Sequence, residues 1–65
     1  MTTSSQLLKA CKDIDTARVL IQESRDQEGN HQYKLAESTV GDAVEMLYSI
    51  IESLDDIQKQ INEQR

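Results

Sequence analysis

Cys11 and His31 are the one cysteine and the one histidine of this 65-residue chain, and together they could form a nucleophile–base pair. A thiol is a strong nucleophile only when a base activates it, so the two side chains would have to touch. If Cys11 lies on a helix that ends before His31, roughly 25–30 Å of helix separates them. We therefore exclude such a pair within one chain, unless a second chain brings its own His31 across.

Metal ligation is the next chemistry that the residue types allow. Glu28 and His31 have the Glu-x-x-His spacing of di-iron bundles, but such sites need an unbroken helix and further carboxylates pointing inward. Gly29 and Asn30 interrupt the helix here. The acids of residues 52–56 lack the alternating loop, central glycine and bidentate glutamate of a calcium site. No Gly-rich phosphate loop or Ser–His–Asp set is present either, so we expect no metal, no cofactor and no enzymatic activity.

The second half of the chain predicts a long amphipathic helix. Its apolar residues recur at alternating intervals of three and four, which is typical of a helix whose apolar stripe faces another helix. Val44 and Ile51 widen the stripe on one side and Met46 on the other, so it is broader than a minimal coiled-coil seam. The stripe has two rows with residues seven positions apart: Tyr33, Val40, Leu47, Leu54 and Ile61 in one, and Ala36, Ala43, Ile50 and Ile57 in the other.

The first half carries a similar pattern with smaller residues. Leu7, Ile14 and Ile21 recur every seven residues, with Ala10 and Ala17 between them. Because the alanines are small, a partner helix can approach closely at those positions. The pattern predicts a second amphipathic helix.

This first helix is predicted to run from about residue 5 to about residue 27. Thr3 followed by Gln6 fits a capping box at its start. Cys11 and Leu20 flank its apolar row. Since one thiol cannot form an internal disulfide, we interpret Cys11 as a small buried hydrophobic residue.

Residues 28–31 form the strongest helix-ending signal in the sequence. Gly29 suits the left-handed position after a helix, and Asn30 is a good N-cap for the next helix, predicted over about residues 31–63. A link this short folds the helices back on each other. We therefore predict an all-α fold, an antiparallel two-helix hairpin (αα-hairpin) that forms one domain over residues 1–65, with His31 as a solvated residue of the turn.

The hairpin is expected to need a partner. The chain has no Phe or Trp and two Tyr, so its core is thin, and small helical proteins of this kind gain stability by oligomerising. Past about Asp55 the longer second helix should have nothing from its own chain to pack against, so Ile57 and Ile61 should meet another chain. We expect a coiled-coil-like dimer or a heteromeric bundle.

Gly41 leaves two interpretations of the second helix open. A glycine inside a helix costs about 1 kcal/mol relative to alanine. It is tolerated either because a continuous helix needs a close crossing or a slight bend there, or because the helix kinks near residues 38–42. Both interpretations keep the apolar stripe intact.

The charge of the chain excludes several classes of partner. The net charge is −5, and no Lys or Arg occurs between Lys34 and Lys59. Nucleic acid or anionic lipid would require a basic stripe, so neither is expected. The acidic run is either a solvated helix face or a surface complementary to a basic partner. The polar start of the chain has no signal-peptide pattern and no apolar run reaches the ~18–20 residues of a membrane span, so we expect a cytoplasmic protein.

The middle of the second helix has more apolar residues than the first helix alone can bury. Contiguous exposed apolar surface marks binding sites, and Tyr and Met are enriched in interface cores. The surplus is expected to form either the core of a homodimeric bundle or a docking surface for a different protein. The predicted partner-binding residues are Val44, Met46, Leu47, Tyr48, Ile50, Ile51, Leu54, Ile57 and Ile61.

The chain resembles the small type III secretion co-chaperones that hold the needle subunit in the cytosol. The matching features are the polar break of residues 29–31, the Gln32-Tyr33 pair that opens a longer second helix, and the pairs Ala43-Val44 and Ile50-Ile51. The resemblance implies a two-helix hairpin in a chaperone heterodimer or heterotrimer. The hairpin would contact a tetratricopeptide-like partner and the needle protein.

Three functions are consistent with these features. The first is a non-enzymatic chaperone or adaptor that binds and sequesters another protein through the apolar face of the second helix. The second is a self-associating four-helix bundle with a structural or regulatory role. The third is a small acidic, phage-like inhibitor of a basic target.

Overall fold

Two long helices joined by a short turn make up the protein. In the computed structural model, which describes residues 2–64, α1 spans Thr3–Gly29 and α2 spans Tyr33–Glu63. Residues 1 and 65, the ends of the predicted domain, lie outside the described residues. The helices pack against each other along a body of 51 × 15 × 14 Å. The predicted all-α antiparallel hairpin is confirmed.

Helix α1 is longer than the capping signals indicate. Thr2 is the N-cap, and its hydroxyl accepts a 3.3 Å hydrogen bond from the backbone N–H of Ser5. Helix α1 therefore has 27 residues against the 31 of α2. The expectation that Ile57 lies past the end of the first helix is wrong: Ile57 is 4% exposed and shares a groove with Gln6.

The turn is a Schellman motif whose left-handed residue is His31. The N–H of His31 donates to the carbonyl of Glu28 (3.0 Å), and the N–H of Gln32 donates to that of Gln27 (2.8 Å). His31 has φ 62°, whereas Gly29 is still helical. The prediction that Gly29 takes the left-handed position is therefore wrong. The second helix is capped by Gln32 rather than Asn30, without a side-chain hydrogen bond to the cap.

Replacing His31 with glycine is expected to stabilise the hairpin by about 0.5–1 kcal/mol. A residue with a Cβ is strained in the left-handed region, and glycine is not. The substitution also removes the 2.8 Å hydrogen bond between Nδ1 of His31 and the Tyr33 hydroxyl, which is exposed and so contributes little. Thermal unfolding by circular dichroism measures the change. Tyr33→Phe, which removes the hydroxyl alone, is the control, and a lower melting temperature for His31→Gly contradicts the prediction.

The seam between the helices is built from small residues. Ala17 is 1% exposed, which makes it the most buried of the core residues. Small side chains at the contact allow the two helix axes to approach closely. Ile50 and Ile57 are the largest side chains of this seam. Its buried members are Ala10, Ala17, Ser24 and Gln27 on α1, and Ala36, Thr39, Ala43, Ile50 and Ile57 on α2.

Helix α2 is continuous through Gly41. Apart from the neighbouring backbone of α2 itself, nothing in residues 2–64 lies within 4 Å of the position that a Cβ on Gly41 would occupy, so the interpretation that glycine permits a close crossing is wrong. The kinked alternative is not observed either. Since no contact requires glycine, Gly41→Ala is expected to stabilise the protein by about 0.5–1 kcal/mol through helix propensity alone. Thermal unfolding checks this, and a destabilised variant would contradict it.

Candidate protein-binding face

Most of the large apolar side chains lie outside the seam. Because the alanine rows contact each other, the neighbouring rows of larger residues flank the contact instead of forming it. Their side chains are 37–59% exposed. These two rows are Leu7, Ile14 and Ile21 on α1, and Tyr33, Val40, Leu47, Leu54 and Ile61 on α2.

Both rows lie on the same side of the hairpin. Near the turn, Ile21 of α1 and Tyr33 and Val40 of α2 line one shallow groove. The neighbouring row with the same spacing of seven stays buried against α1 from Ala36 to Ile57, so the flanking row of α2 stays on this side along the hairpin. The groove on the opposite side has polar walls that include Lys9 and Asp56. The hairpin therefore has an apolar side, which carries the two rows, and a more polar side; the exposed Leu8, Val19 and Leu35 lie outside the rows.

We name the apolar side the apolar face. It consists of the two rows together with Val44 and Ile51, which lie along its α2 edge and are also exposed. Both of its long edges also carry charges: Arg25 on α1 and Glu37 on α2 line the groove at the turn end. By its spacing of seven from Arg25, Arg18 lies on the same edge of α1.

Only part of the predicted partner-binding set lies on the apolar face. Leu47, Leu54 and Ile61 belong to its α2 row, and Val44 and Ile51 to its edge. The others lie elsewhere: Ile50 and Ile57 are buried in the seam, Met46 is half-buried beside them, and Tyr48 is 66% exposed on the far side of α2.

The sequence interpretation missed the contribution of α1. The close approach expected at Ala10 and Ala17 is observed, since both are buried against α2. The sequence pattern does not predict that Leu7, Ile14 and Ile21 remain about half exposed and form the other half of the face.

The side chains that could take part in catalysis or metal binding are not brought together in one site. Cys11 is exposed at the edge of the apolar face, so the interpretation of a buried thiol is wrong; the seam takes the neighbouring Ala10 instead. His31 is exposed at the turn and contacts Tyr33 edge to face. Within residues 2–64, no group of three or more His, Cys, Asp or Glu side chains could hold a metal ion.

A buried polar contact sets the register of the helices near the turn. The hydroxyl of Thr39 donates to Oε1 of Gln27 at 2.8 Å and also approaches the carbonyl of Leu35. Nε2 of Gln27 donates in turn to Glu23 at 3.4 Å. Because Gln27 and Thr39 are both buried, sliding the helices would leave the amide oxygen unpaired.

Thr39→Val is expected to destabilise the hairpin by about 1–2 kcal/mol, since it leaves the buried Gln27 oxygen without a donor. The double variant Gln27→Leu/Thr39→Val should recover most of that loss, because both polar partners are then gone. Denaturant unfolding of the four proteins gives the coupling energy. Thr16→Val is the matched control, since the exposed Thr16 hydroxyl bonds only to its own helix. Equal losses at Thr16 and Thr39 would contradict the prediction.

None of the helices formed by the described residues is long and apolar enough to cross a membrane. Comparison with family models, curated proteins and solved structures gave no match. The apolar face is therefore the feature from which a function has to be argued.

Proposed function

We propose that this chain is a non-enzymatic helical interaction protein that binds another protein through the apolar face, in the manner of a small adaptor or chaperone. One observation carries the proposal: of the fourteen large apolar side chains that are exposed in residues 2–64, ten lie together on one side of the hairpin. Contiguous apolar surface of this extent is rare on monomeric proteins and marks interaction sites.

The shape of the face favours a helical partner. Two parallel rows of aliphatic side chains flank a line of alanines, so the surface has ridges and a shallow groove between them. Amphipathic helices bind such surfaces by placing their own apolar stripe into the groove. Apart from Tyr33 the rows are aliphatic, which suits the Leu and Ile side chains of another helix.

The positions of the acidic side chains of α2 favour the apolar face over an acidic surface as the binding site. Asp56 lines the groove of the polar side, and Asp55 is engaged with Lys59 at 3.2 Å. An acidic inhibitor would use that polar side and would lose affinity steeply with salt. The apolar face predicts a salt-tolerant complex. The type III secretion co-chaperone role stays a prediction that rests on the sequence resemblance.

Site-specific photocrosslinking in the cells that produce the protein tests the proposal. A photoreactive amino acid replaces Leu47 in one variant and Tyr48 in another. The two positions are adjacent on α2, but Leu47 lies on the apolar face and Tyr48 on the far side. We expect a defined crosslinked protein from position 47 and none, or much less, from position 48.

The mass of the crosslinked product also reports what covers the face. A product of twice the 7.4 kDa chain mass is a second copy, and any other mass is a different protein. Equal crosslinking at both positions, or none at position 47, would contradict the proposed function.

A further inference from the structure

We propose that the apolar face is covered by a second copy of this chain, so that two hairpins form a four-helix bundle with α2 antiparallel to α2 across a two-fold axis near Leu47. This inference rests on the proposed function and names the occupant of its surface. It follows from the size of the face and from the order of side chains along the α2 row.

The face has the size that a stable dimer needs. A rectangle of 51 by 15 Å covers on the order of 800 Å², which is about what each partner buries in a standard protein–protein interface. Reaching that area requires a partner that covers both rows over their full length. A single helix would fill the groove and leave the outer flanks, Val44 and Ile51 among them, exposed. A second two-helix layer covers all of them.

The α2 row is self-complementary about Leu47. A two-fold axis requires that if residue i contacts residue j, then j contacts i. In an antiparallel pair centred on Leu47, Val40 lies level with Leu54 of the second copy, and Tyr33 with Ile61. Val44 comes level with Ile51 to within one residue. Each large apolar residue therefore meets another.

The α1 row has the same symmetry about Ile14, since Leu7 and Ile21 are each seven residues from it. One axis can serve both helices only if the two centres are at the same height. Gln27 contacts Thr39 at the turn end, and Gln6 shares a groove with Ile57 at the open end. By this register Ile14 lies about one turn from the height of Leu47, and a two-fold axis doubles that offset in the pairing, so an axis at Leu47 centres the α2 row and not the α1 row.

The charges of α2 are compatible with this pairing. Glu37 lies level with Gln58 of the second copy to within one residue, so no like charge is placed opposite it. Asp56 and its neighbours on the polar side stay in water.

A second two-fold arrangement would place α1 of one copy on α2 of the other. It would bring Arg25 near Glu37 of the second copy, an exposed ion pair of small value. In exchange, Val44 would face Arg18 instead of another aliphatic side chain. Burial of large aliphatic side chains outweighs an exposed ion pair, which favours α2 on α2.

Cysteine crosslinking of the purified protein distinguishes these arrangements. In a Cys11→Ser background, Leu47→Cys should give a covalent dimer on mild oxidation or with a short bis-maleimide, because the two thiols lie near the axis. Tyr48→Cys, on the far side of α2, should stay monomeric. Sedimentation equilibrium of the unmodified chain should give twice the 7.4 kDa mass, with at least a 100-fold tighter dissociation constant than Leu47→Asp.

Two results would overturn the inference. A monomer at every concentration, without crosslinking at position 47, means that a second copy does not cover the face. A dimer in which Ile14→Cys links to Leu47→Cys, and neither links to itself, means that α1 lies on α2. In both cases a photocrosslink in cells from position 47 to a different protein would leave the proposed function standing.

Discussion

Replacing Ile50 with alanine should remove a large part of the protein's stability at 25 °C. Ile50 is 5% exposed, and it and Ile57 are the two large apolar side chains among the buried residues of the seam, whose other apolar members are alanines. Truncating a buried isoleucine to alanine costs about 2–5 kcal/mol. A chain of this size has only about 3–10 kcal/mol of stability to lose. Far-ultraviolet circular dichroism with denaturant titration measures the loss.

Ile51→Ala is the matched control. It makes the same chemical change one residue along the same helix, but Ile51 is 60% exposed on the edge of the apolar face. At concentrations low enough for the hairpin to be monomeric, its unfolding free energy should change by less than about 1 kcal/mol. Equal losses at both positions would mean that the division into a buried seam and an exposed face is wrong.

Leu47→Asp should abolish binding at the apolar face while the hairpin keeps its fold. In the isolated hairpin Leu47 is 37% exposed, so an aspartate there remains solvated. In the complex the carboxylate would be buried against apolar side chains, and in a two-fold dimer it would also face its own copy. Burying an unpaired charge costs several kcal/mol, so the dissociation constant should rise by about 100-fold or more.

Tyr48→Asp adds the same charge to the adjacent residue on the far side of α2 and should leave association unchanged. Sedimentation velocity over a concentration series measures both variants, with circular dichroism on the same samples to verify helicity. If Leu47→Asp associates as tightly as the unmodified chain, the apolar face is not the interface.

The fold could be predicted from the sequence because its signals are local. The alternating intervals of three and four specify both helices, and the polar break at residues 28–31 specifies the turn between them. The choice of the left-handed residue could not be predicted, since Gly29, Asn30 and His31 all occur within one turn of helix. A Schellman motif at any of them would satisfy the last carbonyls of a helix that ends at a different residue, so the local sequence does not decide between them.

The candidate site was predicted only in part, for a physical reason. A heptad pattern shows which residues share a stripe, but not which row of the stripe faces which neighbour. Burying Leu47 and Leu54 in the seam would have seemed more favourable than burying Ala36 and Ala43. Two helices can approach closely only through small residues, however, and the large rows then have room beside the seam for another layer. Leu7, Ile14 and Ile21 were missed for this reason.

The register of the hairpin shows how a small error in helix length propagates. Two further residues at each end of α1 bring Gln6 level with Ile57, so the apparent overhang of the second helix disappears. The requirement for a partner does not disappear with it. It follows instead from the exposed rows that run along both helices, which is a stronger basis than an unpaired end.

The rate of thiol labelling at Leu47→Cys against Tyr48→Cys, in purified protein that carries Cys11→Ser, tests the central claim most directly. It reports whether the centre of the apolar face is covered in the native state. We predict that position 47 reacts much more slowly than position 48, and that its protection increases with protein concentration. Equal rates at both positions over the whole concentration range would contradict the account.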